Sequence, residues 1–348
     1  MGAIDPRPSA SFEFREIRYE KGDGVARVTL DRPKACNAYS TGALQELTTA
    51  FRDAAFDDAV GVIVYTGSGE RAFCTGGDVK EYEELYLEKP RDYWKYMALF
   101  RGYLESILDC GKPVIARLNG MAVGGGNESQ LACDIAIAAD HAYFKQVGIH
   151  VGSVACGGAT QWLPLAVGDR RARQMLMLGQ KVPARQAVEW GLISESVPSV
   201  RRSGAFVEAA TEEQIKLAQG GKEGYSIDLS RLDERVDAVA QQLMESFSEC
   251  MRYTKRQVNF LKDFTWHETV GHAQDWLSLH FTCHEPLEGM RAFVEKRPPR
   301  YRELRAEAAA GGSPEFPWGS YAKSCPGCGA KSLPSRFAFC GACGAAIR

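Results

Sequence analysis

Two glycine-rich runs carry the first chemistry in this chain: Arg71-Ala72-Phe73-Cys74-Thr75-Gly76-Gly77-Asp78 and Asn119-Gly120-Met121-Ala122-Val123-Gly124-Gly125-Gly126-Asn127-Glu128. Each follows an apolar segment of strand type and feeds a segment of helix type. Glycine lets a backbone come close to a ligand and leaves its N–H uncovered. Two such N–H groups converging on one point would stabilise an oxyanion, and a helix N-terminus adds a favourable dipole. Glycines in strand–helix turns also serve the turn alone, so neither run decides by itself. The second run lacks the GxGxxG spacing of a dinucleotide loop, and neither holds the Gly-Lys-Ser/Thr of a phosphate loop; nucleotide hydrolysis is disfavoured. A third constellation closes the chain, Cys325-x-x-Cys328, eleven residues, then Cys340-x-x-Cys343. This spacing is a zinc-ribbon signature, in which four thiolates close a tetrahedral structural site and fold a segment too small for a core of its own. Redox cysteines are the alternative.

The elements that must position these groups read as short strand, glycine turn, helix, short strand. Two strands surround the turn Lys21–Gly24 within residues 12–31, and Leu44, Leu47 and Phe51 suit a helix over 41–57. Strands are predicted at 60–65, 112–118 and 135–138, and helices at 78–86, 92–108 and from the Gly124–Gly126 run through Ala132. That alternation predicts an α/β fold with parallel strands and crossover helices. Residues 199–226 have no strong period and read as a surface loop or insertion. The stretch 229–308 reads as helical, and a Gly/Pro-rich linker precedes the cysteine tail.

The chain has 348 residues, with Lys+Arg 42 against Asp+Glu 44 and a net charge of −2. The balance argues against nucleic acid as a partner of the whole protein, which would need a basic surface excess. No apolar run is long enough for a membrane span, and Met1–Ser11 lacks a signal-peptide pattern, so a cytoplasmic location is expected. The other cysteines, Cys36, Cys74, Cys110, Cys133, Cys156, Cys250 and Cys283, are expected as buried small apolar residues. His280 and His284 have i,i+4 spacing, which packing explains better than a metal.

Seven motifs, in order, resemble the crotonase (enoyl-CoA hydratase/isomerase) superfamily over roughly residues 14–300. They are Asp31-Arg32-Pro33-Lys34-Ala35-Cys36-Asn37-Ala38, both glycine runs, Ala132–Ala138, Gly157-Gly158-Ala159-Thr160-Gln161, Ala187–Leu192 and Glu288–Arg297. The resemblance implies a spiral of ββα repeats followed by C-terminal helices that trimerise the protein, often into a hexamer. On that basis residues 12–200 form the spiral core, 201–308 a loop and helical region, 309–323 a linker and 324–348 the zinc ribbon. The resemblance places Gly77 and Gly125 at the amides that bind a thioester oxygen, and Glu128 at an acid/base position. It places Lys34, Phe293 and Lys296 at CoA contacts. CoA then enters as part of an acyl-CoA thioester substrate, zinc is structural, and no redox cofactor is called for.

Hydratases of that superfamily use two glutamates. The second position here is Gly148, so plain two-glutamate hydration does not carry over; His150 lies nearby but reads better as a packing or surface residue. The segments 74–82, 151–153, 157–160 and 228–234 are similar to those of the ring-opening 6-oxocyclohex-1-ene-1-carbonyl-CoA hydrolases of anaerobic aromatic degradation, which also have glycine at that position. The resemblance implies water addition to a cyclic oxo-enoyl-CoA and hydrolytic C–C cleavage through a thioester enolate. A simple enoyl-CoA hydratase or isomerase is the alternative. A reading of a different class is a non-catalytic scaffold or nucleic-acid-binding protein, suggested by Lys323, Lys331, Arg336 and Arg348 in a tail without acids. The two glycine runs together with Glu128 count against it.

Overall fold

The run Val62–Gly67 is apolar at nearly every position because both of its faces are covered, the pattern of a central parallel strand. In the computed structural model it lies in the middle of a six-stranded sheet, ordered Ile17–Gly22, Val25–Leu30, Val62–Gly67, Val114–Leu118, Ile135–Ala139, Glu195–Val197. The first pair is an antiparallel hairpin; every later pair is parallel, with Val25 opposite Val62, Ile63 opposite Val114 and Ile115 opposite Ile135. The two-residue period assigns the faces. Val62, Val64, Ile115 and Ile137 pack on Leu232, Val236 and Val239 of the helix Ser230–Met244. Tyr65, on the opposite face, meets Phe51, Phe73 and Tyr103 edge-on.

The structure describes residues 6–313, 315–319 and 321–347. Residues 1–5, read above for a missing signal peptide, Pro314 and Ser320 of the linker, and Arg348 of the basic tail lie outside the described residues. No helix among the described residues is long and apolar enough to cross a membrane.

A second sheet runs Ala72–Cys74, Met121–Val123, Tyr143–Lys145, Val182–Pro183. The chain alternates between the two sheets. Val62–Gly67 leads to Ala72–Cys74 and then the helix Pro90–Leu108; Val114–Leu118 leads to Met121–Val123 and then the helix Gly125–Ala132; Ile135–Ala139 leads to Tyr143–Lys145. The opening turn is abbreviated: after Val25–Leu30 an isolated bridge, Tyr39 parallel to Gly77, stands where a second-sheet strand would be, before the helix Thr41–Phe56. This is the expected ββα spiral. Two buried asparagines bind its tight returns, because turn carbonyls taken from water need donors. Asn37 Nδ2 donates to Ser68 O at 3.0 Å and Ala72 O at 2.7 Å, and Asn119 Nδ2 donates to Gly69 O and Ala72 O at 2.8 and 2.9 Å.

The described chain divides into two compact units. The first holds Met1–Asp78, Lys95–Ile149 and Val154–Gln274, and the second Val79–Trp94, His150–Ser153 and Asp275–Arg348. The second unit has its own aromatic core, with Tyr93 stacked on Phe281 and Tyr82 edge-on to Tyr86, Tyr93 and Phe281. Its helix His284–Val294 packs Gly289 directly on the Val151–Gly152 backbone, where a Cβ would lie 2.7 Å from Gly152 N.

Several sequence expectations need correction. Residues 199–226 are not a loop. Val200–Arg202, Ala205–Phe206 and Tyr225–Ile227 form a small antiparallel sheet under the helix Glu212–Gln219, with Val200, Ala218 and Tyr225 as its core. Strands of two or three residues are too short to display a period, which is why the pattern looked irregular. The helix expected over 78–86 is helical only at Val79–Glu81 and continues as a wider π-helical turn, Tyr82–Tyr86. Cys74, Cys110, Cys133 and Cys156 are buried as expected, but Cys36 and Cys283 are half-buried and Cys250 is exposed. His280 ends one helix and His284 starts the next, so they share no helix face. His284 Nε2 instead pairs with Phe316 O at 2.7 Å.

Candidate active site

The first glycine run is held by Tyr39. Tyr39 N donates to Gly76 O at 2.9 Å and Asp78 N donates to Tyr39 O at 3.1 Å, the bonding of one parallel bridge. Successive residues on a strand direct their amides to opposite sides, so Gly77 turns its own N–H away from Tyr39. That N–H donates to no group among the described residues. Arg32 anchors the end of the turn, with its guanidinium 3.0 Å from Asp78 Oδ2 and 2.8 Å from Glu16 Oε1.

The second run is fixed by the strand beside it. Gly124, at φ 54°, donates to Lys145 O at 2.9 Å, and the helix Gly125–Ala132 begins at the next residue. Gly125 N–H, in the first turn, has no intrahelical acceptor and no other partner among the described residues. The two runs then meet at backbone contact. Gly76 has φ 86°, and a Cβ on it would lie 2.8 Å from Gly125 N; a Cβ on Gly126 would overlap Cys74 O. Only glycine permits that approach. Two uncovered amides, from segments about fifty residues apart in sequence, are thus brought side by side at a helix N-terminus, where negative charge is favoured.

Glu128 lies one turn into that helix and is only 4% exposed. Its Oε1 accepts from Gly157 N at 2.8 Å and Ala159 N at 3.3 Å, at the start of the helix Ala159–Val167. Oε2 takes no protein hydrogen bond among the described residues. Burial disfavours the carboxylate and pushes its pKa up to about 7, against a partial pull downward from the Ala159 and Gly157 amides. A carboxyl group half ionised near neutrality can give or take a proton, as an acid/base group must.

Reasoning from the sequence did not find two further residues here. Tyr39 stacks on Phe100 with ring centroids 5.4 Å apart. The Phe100 edge and Glu128 Oε2 both crowd the point where Gly157 would carry a Cβ, 2.7 Å from that oxygen. Phe100 continues the apolar side of its helix begun by Met97, a spacing that marks core but not a site. Nothing local marks Tyr39, whose place follows only from the bridge to Gly77. Of the other candidates, Lys34 is exposed on the turn Pro33–Ala35, and Phe293 and Lys296 are exposed around the end of the helix His284–Val294 in the second unit. Gly148 opens the short helix Gly148–Val151, with no carboxylate at its position. A cleft of about 690 Å³ between Glu70 and the Arg201–Asp228 pair has none of these residues in its lining.

The cysteine tail forms two matching knuckles. Gly329 N donates to Cys325 O and Gly344 N to Cys340 O at 3.0 and 2.9 Å, each glycine at φ 74°. The four sulfurs lie within 4.8 Å of one another, with Cys325···Cys343 at 3.6 Å and Cys328···Cys340 at 3.7 Å. Four sulfurs at Zn–S bond length on a tetrahedron sit about 3.8 Å apart, so this donor set fits the ion.

A buried carboxyl group beside two bare amides, on a spiral of alternating sheets, defines a class. The profile of the enoyl-CoA hydratase/isomerase family matches residues 20–225, and the chain belongs to that family. Among particular relatives, a 6-oxocyclohex-1-ene-1-carbonyl-CoA hydrolase of Geobacter metallireducens (strain ATCC 53774 / DSM 7210 / GS-15) is 38% identical over 320 residues, 83% of this chain and 84% of that one. The protein of the same name from Thauera aromatica is 34% identical over 89% and 90% of the two chains. A solved enoyl-CoA hydratase/isomerase from Xanthobacter autotrophicus Py2 superposes with a TM-score of 0.66 at 26% identity, covering 85% of this chain and 97% of that one. An enoyl-CoA hydratase from Mycobacterium avium subsp. paratuberculosis K-10, at 24% identity and TM-score 0.66 over 82% and 98%, shares the fold.

Proposed function

We propose that this protein hydrolyses a cyclic oxo-enoyl-CoA of the 6-oxocyclohex-1-ene-1-carbonyl-CoA type. The observation that carries the reading is Glu128, buried and poised near neutrality, beside the uncovered Gly77 and Gly125 amides, with glycine at position 148. The substrate class is that of the relatives at 38% and 34% identity. The two amides take the thioester oxygen and stabilise the enolate formed when water oxygen bonds to the β-carbon of the C=C. Glu128 moves the proton, which ends on the α-carbon. A second water then adds to the ring ketone, giving to Glu128 the proton that is later returned to the α-carbon. The bond between that carbon and the α-carbon breaks, its electron pair returning to the thioester enolate on the same amides. Protonation of the α-carbon leaves an open-chain hydroxy-dicarboxylate monothioester.

Lys34 would meet a phosphate of CoA, and Phe293 and Lys296 of a neighbouring subunit would meet its adenine and a phosphate. Exposed Phe247, Val258, Phe260, Leu261 and Phe264 around the helices Ser248–Val258 and Phe260–His280 support self-association as a trimer or hexamer. A single carboxylate without a second also suits a double-bond isomerase, which is the competing reading. Incubation with 6-oxocyclohex-1-ene-1-carbonyl-CoA and with crotonyl-CoA, followed by mass spectrometry, separates them. Two waters on the ring compound are expected; one water only, or turnover of the linear compound alone, removes the ring-opening reading.

The tail is read as a structural zinc site, where zinc would supply folding free energy and no chemistry of the reaction. Metal analysis should find about one zinc per chain, and Cys340→Ser should reduce that to near none. Chelation should open residues 321–347 to protease while residues 17–227 stay resistant. A tail equally resistant with and without chelator would count against the site.

A further inference from the structure

The geometry points to Tyr39 as the electrophile for the ring ketone, a second hydrogen-bond donor set beside the amides that hold the thioester oxygen. The inference rests on the ring-opening reading above. Its basis is the way one residue touches both glycine runs. The Tyr39 main chain forms the bridge that orients Gly77. Its hydroxyl lies so close to Gly125 Cα that a Cβ on Gly125 would overlap it, with the ring carbon Cζ 2.9 Å from that Cβ. The side chain is 2% exposed and stacked on Phe100, whose edge rests on Gly157, the residue that donates to Glu128. The hydroxyl is therefore set by the same contacts that set both amides and the acid/base carboxyl group, and little reorganisation is needed when charge develops.

The substrate chemistry requires such a group. In a β-keto thioester the two carbonyl oxygens, when on the same side, lie about a hydrogen bond's length apart. A thioester oxygen held by Gly77 N–H and Gly125 N–H with the ketone oxygen turned to the Gly125 side would set that ketone oxygen next to Tyr39 Oη, which is packed against Gly125. Water addition to the C=C places charge on the thioester enolate, which the amides already serve. Water attack on the ring ketone places charge on a different oxygen, which needs a donor of its own once both amides are engaged by the thioester. A phenol O–H donated there stabilises the tetrahedral oxyanion; when the C–C bond breaks, that oxygen becomes a carboxyl oxygen and the proton stays with Tyr39. No other reactant is needed.

The test is Tyr39→Phe, which keeps the ring stack and removes only the hydroxyl. With 6-oxocyclohex-1-ene-1-carbonyl-CoA in a quenched time course, the wild type is expected to give the two-water product with little one-water intermediate. The variant should add the first water at a rate within about fivefold of wild type, slow the second about 10²-fold, and accumulate the one-water ring compound. Its thermal midpoint is measured in parallel, since a merely structural role would slow both additions together. Equal slowing of both waters, or an unchanged ratio of intermediate to product, overturns the assignment. A wild type that never adds the second water overturns the ring-opening reading itself and the assignment with it. Should Tyr39→Phe not fold, Phe100→Leu, which loosens the ring stack but leaves the hydroxyl, should shift the same ratio in the same direction by a smaller factor. An unshifted ratio in a folded Phe100→Leu protein counts against the assignment.

Discussion

Glu128→Gln should lower kcat for the ring substrate by about 10³-fold while leaving KM within a few-fold, the range seen when a positioned acid/base group is removed. The amide keeps the size of the side chain and can still accept from Gly157 and Ala159 N–H, so the loss is chemical. The pH profile carries a second signature. The wild-type group changes charge at about 7, and activity should show a limb there that the variant lacks. Stability moves the opposite way. The folded-state pKa lies above the ordinary 4.5, so folding favours the protonated form; the wild type loses stability as pH rises from about 4.5 through about 7, by up to about 3 kcal/mol. Glutamine is neutral throughout. Thermal melts should show the variant gaining on the wild type from about pH 5 to about pH 8 and the difference holding level above that. A constant difference across that range would mean that burial does not hold the proton on Glu128.

Gly125→Ala should cost kcat/KM about 10²- to 10³-fold, and the cause would be steric. The added Cβ would overlap Tyr39 Oη and lie 3.3 Å from Gly76 Cα. Either the helix start or the Gly76–Gly77 turn must shift, and either shift spreads the two amides. The same overlap should reduce stability by about 1–3 kcal/mol, as overpacking does. Because the colliding atom is the phenol oxygen, Gly125→Ala combined with Tyr39→Phe should recover much of the stability but not the activity. Denaturant unfolding of the single and double variants measures this. A double variant no more stable than the single would place the strain in the backbone instead.

Local reading of the sequence reached the strands because their signal is local. Val62–Gly67, Val114–Leu118 and Ile135–Ala139 are short, largely apolar runs bounded by glycine, proline or polar residues, and the helix opening at Gly125 announces itself through Gly124–Gly126. The cysteine tail was legible for a similar reason: all four cysteines and both knuckle glycines lie within twenty residues, so spacing alone specifies their grouping. The insertion over 199–226 was not legible, since its strands are too short to carry a pattern and its core is three residues. Cys250 was misjudged because cysteine prefers burial only on average, and an amphipathic helix also has an outer face.

The sequence by itself determined the strands of the main sheet and the helix opening at Gly125, and it marked the two runs of glycine and, through the family resemblance, Glu128 with Gly148 where a second carboxylate would be. Tertiary structure decided that Gly76 and Gly125 touch, that Glu128 is dry enough to hold a proton near neutrality, and that Tyr39 and Phe100 wall the same place. The division has a physical origin. Backbone preference and apolar period act between neighbours in the chain, whereas desolvation and the overlap of atoms depend on which distant segments the winding of the spiral sets side by side.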